Sequence, residues 1–244
     1  MTPVPVLLYH VIGDDGDTYS VSPGRFTEDI ASVVESGRTP LTMADYVARL
    51  RTAQPVDDLV VVSFDDGHAS SVTAAQQLSA AGVPCTVYVT TTFLGEPEMM
   101  DRAALHDLAA VPGVEIGSHA VHHVRLDELG REALRTEVRD SRHQLEDLLQ
   151  RPVTGIAYPH GCHDRRVTQE AANAGFTSGA GVKNALSHER DDPMAVARVT
   201  LTWDTTAEQV REVLRGQGRL GERRPRLRTR GYRVVRRARH ALRG

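Results

Sequence analysis

Two hydrophobic periods alternate along this chain. Short β-branched runs bounded by glycine, proline or polar clusters read as strands, and stretches with apolar residues three and four apart read as helices. The run Leu59-Val60-Val61-Val62-Ser63-Phe64 is the strongest strand signal, and it leads straight into Asp65-Asp66-Gly67-His68. Further strands are predicted over 4–9, 85–89, 114–116, 156–158, 176–180 and 196–201. Ser22-Pro23 places a cap and a first-turn proline before Phe26, Ile30, Val33 and Val34, with Gly37 as the stop. Thr42 with Asp45 resembles a capping box ahead of Tyr46, Val47 and Leu50. Helices are also predicted over 69–81, 101–110, 127–150, 164–174 and 206–215, the fourth of these stopped by Gly175. Residues 13–16 read as a turn-rich loop.

Strand and helix alternate almost throughout. That order predicts an α/β fold, with parallel strands inside and helices outside, as a barrel or an open sheet. In such folds functional residues gather where strands end. Four predicted strand ends carry polar clusters: His10, Asp65-Asp66, His119 to His123, and Tyr158-Pro159-His160-Gly161. If the strands are parallel, all four share one rim.

Composition adds a domain count and an asymmetry. The 244 residues are 40% hydrophobic and 25% charged, which suits one large globular domain over 1–216. The net charge of −3 conceals a basic segment, 217–244, with eleven arginines and one acid. The preceding residues carry 18 basic against 31 acidic side chains. Tyr232, Val235, Ala238 and Leu242 could line one side of a basic amphipathic helix on an anionic membrane surface. A solvated tail, or one folded on the acidic body, is the alternative. The acidic body argues against nucleic acid as a partner. Cys85 sits in an apolar run and Cys162 in a loop, so neither a disulfide framework nor a Cys-x-x-Cys metal site is present. No run is long enough to span a membrane. No signal peptide is visible, which predicts a cytoplasmic protein, peripheral to a membrane if the tail binds one, or an extracellular one if the sequence is a trimmed piece.

The chemistry lies at the strand ends. Along an extended segment Asp65 and Asp66 cannot point the same way, so one can hold a metal while the other remains a base. The alternative for the pair is capping of the next helix. His119-Ala120-Val121-His122-His123 puts imidazoles three and four apart, and Ala120 excludes the zincin pattern. Two imidazoles and a carboxylate suit zinc, or nickel, cobalt or iron, with open positions. Such an ion brings the pKa of water to roughly 7. A neighbouring carboxylate can take the proton, and a histidine opposite can protonate a leaving amine. This set suits amide hydrolysis.

These residues resemble the polysaccharide deacetylase family, also known as the NodB-homology domain or carbohydrate esterase family 4. Ser63-Phe64-Asp65-Asp66-Gly67 is similar to its T-F-D-D-G motif, His119 to His123 to its H-S/T-x-x-H motif about fifty residues later, and Ile156 to Gly161 to its third motif. The resemblance covers about 5–206. It implies a distorted (β/α) barrel of about seven parallel strands, Asp65 as general base, and Asp66, His119 and His123 as metal ligands. Tyr158, Pro159, His160 and Gly161 would line the site, with the His160 backbone N–H on the oxyanion. The family's general acid lies in a strand reading I/V-I/V-L-x-H near the C-terminus. Here Val6-Leu7-Leu8-Tyr9-His10 fits that pattern at the start, as in the permuted branch similar to poly-N-acetylglucosamine deacetylases, and so implies His10 as the acid.

The chain departs from the family in several places. Ala120 removes a hydroxyl that would brace the loop, and Ala157 stands where many members have an arginine. Arg198 or His160 could take that arginine's place. Trp203-Asp204 may be compared with the family's tryptophan motif; Trp203 is expected to be either core or a sugar-binding platform. The implied activity is removal of an N-acetyl group from an amino sugar, whether free, lipid-linked or polymeric. The alternatives are a deformylase or cyclic imide/ureide hydrolase on the same fold, and a non-catalytic sugar-binding module tethered by the basic tail.

Overall fold

The valine-rich run forms β5 (Leu59–Phe64), the central strand of the barrel. Its side chains split by parity. Val60, Val62 and Phe64 face an outer core beneath the helices, while Leu59 and Val61 join an inner core with Val4, Val6, Tyr46 and Tyr88. Strands buried on both faces read as continuous apolar runs, as this one does. The computed structural model describes residues 3–217. The arginine-rich segment therefore lies outside the described residues, apart from Gln217.

In chain order the elements are β1 (Val6–Tyr9), β2 (Val11–Ile12), β3 (Ser20–Val21), α1 (Pro23–Glu35), β4 (Thr39–Leu41), α2 (Met43–Arg51), β5, α3 (Ser70–Ala80), β6 (Cys85–Val89), α4 (Arg102–Ala110), β7 (Val114–Ser118), α5 (Arg131–Leu149), β8 (Gly155–Ala157), α6 (Arg165–Asn173), β9 (Ser178–Ala180), β10 (Val199–Thr200) and α7 (Ala207–Leu214). Seven strands follow the order β10-β1-β5-β6-β7-β8-β9, and β4 adds to β5. Every pair is parallel. The two edges meet where Val196, just before β10, bridges Ala180 of β9. The sheet thus curls into the expected distorted barrel. Among the described residues no helix is long and apolar enough to cross a membrane.

Local chemistry sets the helix ends. Ser22, Thr42, Asp101 and Asp164 each accept a backbone N–H as N-caps, and Thr206 with Gln209 completes a capping box. Some expected boundaries move. The long helix begins at Arg131, because 126–128 form a separate 3₁₀ turn, and it ends at a left-handed Gln150 (φ 52°) before Pro152. The loop expected at 13–16 is flanked by a two-stranded parallel ribbon of β2 and β3. This ribbon and β4 are too short to show a period in the sequence.

Candidate active site

Parity on β5 also decides the carboxylates. Continuing the inward positions from Leu59 and Val61 brings Ser63 and Asp65 into the barrel. Asp65 is 2% exposed and accepts two bonds from the fully buried Arg198, Nη1 to Oδ1 and Nη2 to Oδ2, each 2.7 Å. Arg198 also donates from Nε to the Gly181 carbonyl. Fork-to-fork pairing fixes the carboxylate plane as well as its charge. Burial raises the Asp65 pKa, but Arg198, His119 and His10 together outweigh it and leave the carboxyl below its ordinary value. Arg198 thus stands beside Asp65, where the sequence left the missing arginine open; His160 makes no such pair.

The chain then turns. Asp66 takes a left-handed conformation (φ 73°) and Gly67 follows at φ 87°, where a Cβ would come within 3.2 Å of Val89. Asp66 Oδ1 is buried and meets His119 Nε2 at 3.3 Å and His123 Nε2 at 3.2 Å. These ligand atoms all lie within 4.8 Å of one another. His119 Nδ1 is 2.9 Å from the Ala157 carbonyl, which can only accept, so Nδ1 carries the proton. Nε2 then either offers a lone pair to a cation or is itself protonated against the carboxylates. Burial favours the neutral ring, while Asp65 and Asp66 favour charge and leave the pKa raised. Both cases call for positive charge at the point where the three atoms converge. The donor set therefore fits a divalent cation.

Glu137 of α5 holds the histidine loop. Its Oε2 accepts the backbone N–H of Val121 (3.0 Å) and His122 (2.9 Å), and Oε1 pairs with His122 Nδ1 at 2.6 Å. These bonds supply the bracing that Ala120 cannot. The sequence signal for Glu137 was a carboxylate on the inward stripe of α5, between Leu134 and Ser141. Ala120 (φ 65°), His123 (φ 52°) and His160 (φ 58°) are left-handed like Asp66. Strained non-glycine residues gathered in one place are a mark of a functional site.

A cleft of about 580 Å³ unites His10, Asp65, Asp66, His119, His123 and His160. His10 Nδ1 is buried, and its ring lies 4.9 Å from that of Tyr19. Burial lowers the His10 pKa, and Asp65 and Asp66 oppose that shift. Asn184, Thr200, Thr202, Asp204 and Gln209 also line it; none was singled out from the sequence for this role except Asp204, in its pair with Trp203.

The remaining predicted binding residues lie elsewhere. Ile156 and Tyr158 face the outer core by strand parity, and the Tyr158 hydroxyl donates to the Met194 carbonyl at 2.8 Å. Pro159 is buried, and the Cβ position of Gly161 is packed against Val182. Of that loop His160 reaches the cleft, its ring 4.6 Å from His123. Trp203 is 68% exposed, so it is not core, and it lines an adjoining cavity instead of the cleft itself.

The family model for polysaccharide deacetylases matches residues 52–179, just over half of the chain. The chain belongs to this family. The match takes in Asp65, Asp66, His119 and His123, and leaves His10 and Arg198 outside it. The Bacillus subtilis (strain 168) protein YxkH, whose own name assigns it provisionally to the polysaccharide deacetylases, is 22% identical over 201 residues, 82% of this chain and 71% of that one. Among solved structures, the Streptococcus pyogenes deacetylase PplD in complex with acetate superposes with a TM-score of 0.77 at 21% identity, covering 84% of this chain and 95% of its own. IcaB from Ammonifex degensii gives 0.74 at 20% identity, covering 89% and 98%. At these identities the structural likeness speaks to the fold. Membership makes the chain a hydrolase of the family that cleaves the amide of acetylated sugars.

Proposed function

We propose that this deacetylase is a metal-dependent de-N-acetylase that hydrolyses the acetamide of an amino sugar and releases acetate. One observation carries the reading: Asp65, held ionised by Arg198, stands beside the Asp66–His119–His123 group with His10 in the same cleft. Bound by those three side chains, a divalent cation supplies Lewis acidity, polarising the carbonyl and acidifying water. Zinc suits the donor set best, and nickel, cobalt and iron also accept it. Asp65 takes the proton from the attacking water at its carboxylate. His10 gives a proton to the leaving amine, and Asp65 and Asp66 in the same cleft favour its charged form against the burial that lowers its pKa. The His160 backbone N–H is the candidate donor to the tetrahedral oxyanion.

Acetate release from N-acetylglucosamine, its oligomers, sugar nucleotides and a lipid-linked sugar, with metal stripped and restored, tests this reading. Metal-dependent acetate is the expected result. Silence from every sugar with turnover of N-formyl sugars or cyclic imides would move the assignment to those amides. Silence throughout with sugar still bound would make it a binding module. For the basic segment, which lies outside the described residues, we propose an anionic membrane surface as partner, the alternative being a solvated tail or one folded on the acidic body. The segment should carry the chain down with phosphatidylserine vesicles and release it at high salt.

A further inference from the structure

Arg198 reaches Asp65 from the β10 side of the barrel with all three guanidinium nitrogens engaged. Nη1 and Nη2 hold the Asp65 carboxylate, Nη1 also lies 3.4 Å from Ser63 Oγ, and Nε donates to the Gly181 carbonyl. Those bonds fix the guanidinium within its own plane. They leave its tilt out of that plane, because a fork of two parallel bonds can hinge about the carboxylate. Arg198 Cζ lies over the Tyr88 ring, 5.5 Å from its centroid. The ring closes one face of the guanidinium, at a distance where a cation is drawn to an aromatic face.

The sequence explains why the ring lies there. On β6, Thr86 and Tyr88 alternate with Cys85, Val87 and Val89, which face the outer core. Tyr88 therefore points into the barrel, fully buried in the inner core with Val6, Val61 and Val196. Its register partner on β7 is Gly117. A Cβ at 117 would run into Tyr88 Cδ1 and Cε1, and one at Gly155 on β8 would stand 3.5 Å from Cε1. The ring thus lies across β7 above a glycine, with its edge toward β8. Burial first, and the Glu115 carboxyl second, raise the Tyr88 phenol well above its ordinary value, so the ring meets the guanidinium in its neutral form. Both groups are out of water, where such a contact is stronger than at a surface.

We propose that Tyr88 is a positioning residue for the reaction: its ring, laid across β7, is the shelf that stops the Arg198 guanidinium from tilting and so holds the Asp65 carboxylate toward the attacking water. This role rests on the reading of Asp65 as the base. Tyr88 acts through Arg198 and does not itself line the cleft.

Kinetics of acetate release from N-acetylglucosamine oligomers test it. Tyr88→Leu should lower kcat about tenfold with KM unchanged, because a tilted base misplaces the water and not the sugar. Tyr88→Phe keeps the ring and should keep kcat. Arg198→Lys retains a charge but has no fork to tilt, so adding Tyr88→Leu to it should cost less than about twofold. Parent kcat in Tyr88→Leu, or the same loss repeated in the Arg198→Lys background, would overturn the role and leave Tyr88 as packing. Where Tyr88→Leu does not fold, Gly117→Ala displaces the ring without removing it and should lower kcat at constant KM; parent kcat there would overturn the role as well. Asp65→Asn with parent turnover would instead remove the base on which the role rests, whatever the Tyr88 variants do.

Discussion

Two carboxyl groups sit inside the same barrel and are driven in opposite directions. Asp65, beyond the end of β5, lies against the Arg198 fork and two imidazoles, and its pKa is lowered. Glu115, on β7, is half-buried as a residue with its Oε1 buried, and Oε2 accepts from neutral donors: Thr86 Oγ1 at 2.8 Å and the Ala44 N–H at 3.0 Å. Its pKa is raised, chiefly by burial. The difference teaches that burial among neutral partners shifts a carboxyl toward its protonated form. It takes a desolvated cation to turn a buried carboxyl into a base. Tyr88 lies between the two, with Arg198 5.5 Å from its ring centroid. Gly117 makes room for that ring, since a Cβ there would approach Tyr88 Cδ1 to 2.4 Å.

The largest effect should come from breaking the charged pair. Asp65→Asn should cut turnover by roughly 10²–10⁴-fold with metal stoichiometry retained. It also leaves Arg198 buried without its anion, and Arg198→Met leaves Asp65 without its cation. Each should cost about 3–5 kcal/mol in urea unfolding. The double variant Asp65→Asn/Arg198→Met should recover much of that loss, because it removes both uncompensated groups together. A cycle that shows additive losses would mean that the two groups are not energetically coupled, and the contrast with Glu115 would need another cause.

A third carboxylate sharpens the comparison. Glu137 is 7% exposed, and its partners are two backbone N–H groups and a half-exposed histidine. Its effect should appear in metal affinity, since it holds the loop between His119 and His123. Glu137→Ala should weaken zinc about 10–100-fold in chelator competition, and Glu137→Gln, which keeps an acceptor for the two N–H groups, should weaken it less. Equal, unweakened binding in both variants would reduce Glu137 to packing.

What the sequence could disclose followed from locality. The Asp65-Asp66 pair, the His119–His123 spacing and the β1 pattern before His10 are each contained in a few consecutive residues, and parallel alternation was enough to gather them on one rim. Arg198 was only a candidate, because its partner lies 133 residues away and the pairing depends on barrel closure near Val196. Glu137 went unread because bracing a loop leaves no spacing of its own. Tyr158 was misplaced for the opposite reason. The local motif pointed to the cleft, but the parity of β8 turns its ring outward beneath the helices. Trp203 was legible as a candidate platform, and its exposure now excludes the core.

The smallest effect tests the other half of the contrast. Because the folded-state pKa of Glu115 lies above its unfolded value, the folded protein binds more protons than the unfolded chain between the two. Stability is therefore unpenalised below the unfolded value, about 4.3, and falls as pH rises toward the folded one. Glutamine resembles the protonated form. Its carbonyl can keep the bonds from Ala44 and Thr86, and its amide would take the place of Oε1 beside Gly155, which Ser178 Oγ also approaches. Glu115→Gln should thus flatten the pH dependence of unfolding, match the parent protein at acid pH, and exceed it near neutrality. Turnover should be unchanged, since Glu115 does not reach the cleft. If the variant instead loses stability at neutral pH, Glu115 is ionised in the fold, an uncharged shell suffices to hold a buried carboxylate here, and Arg198 cannot be what separates the base from its neighbour.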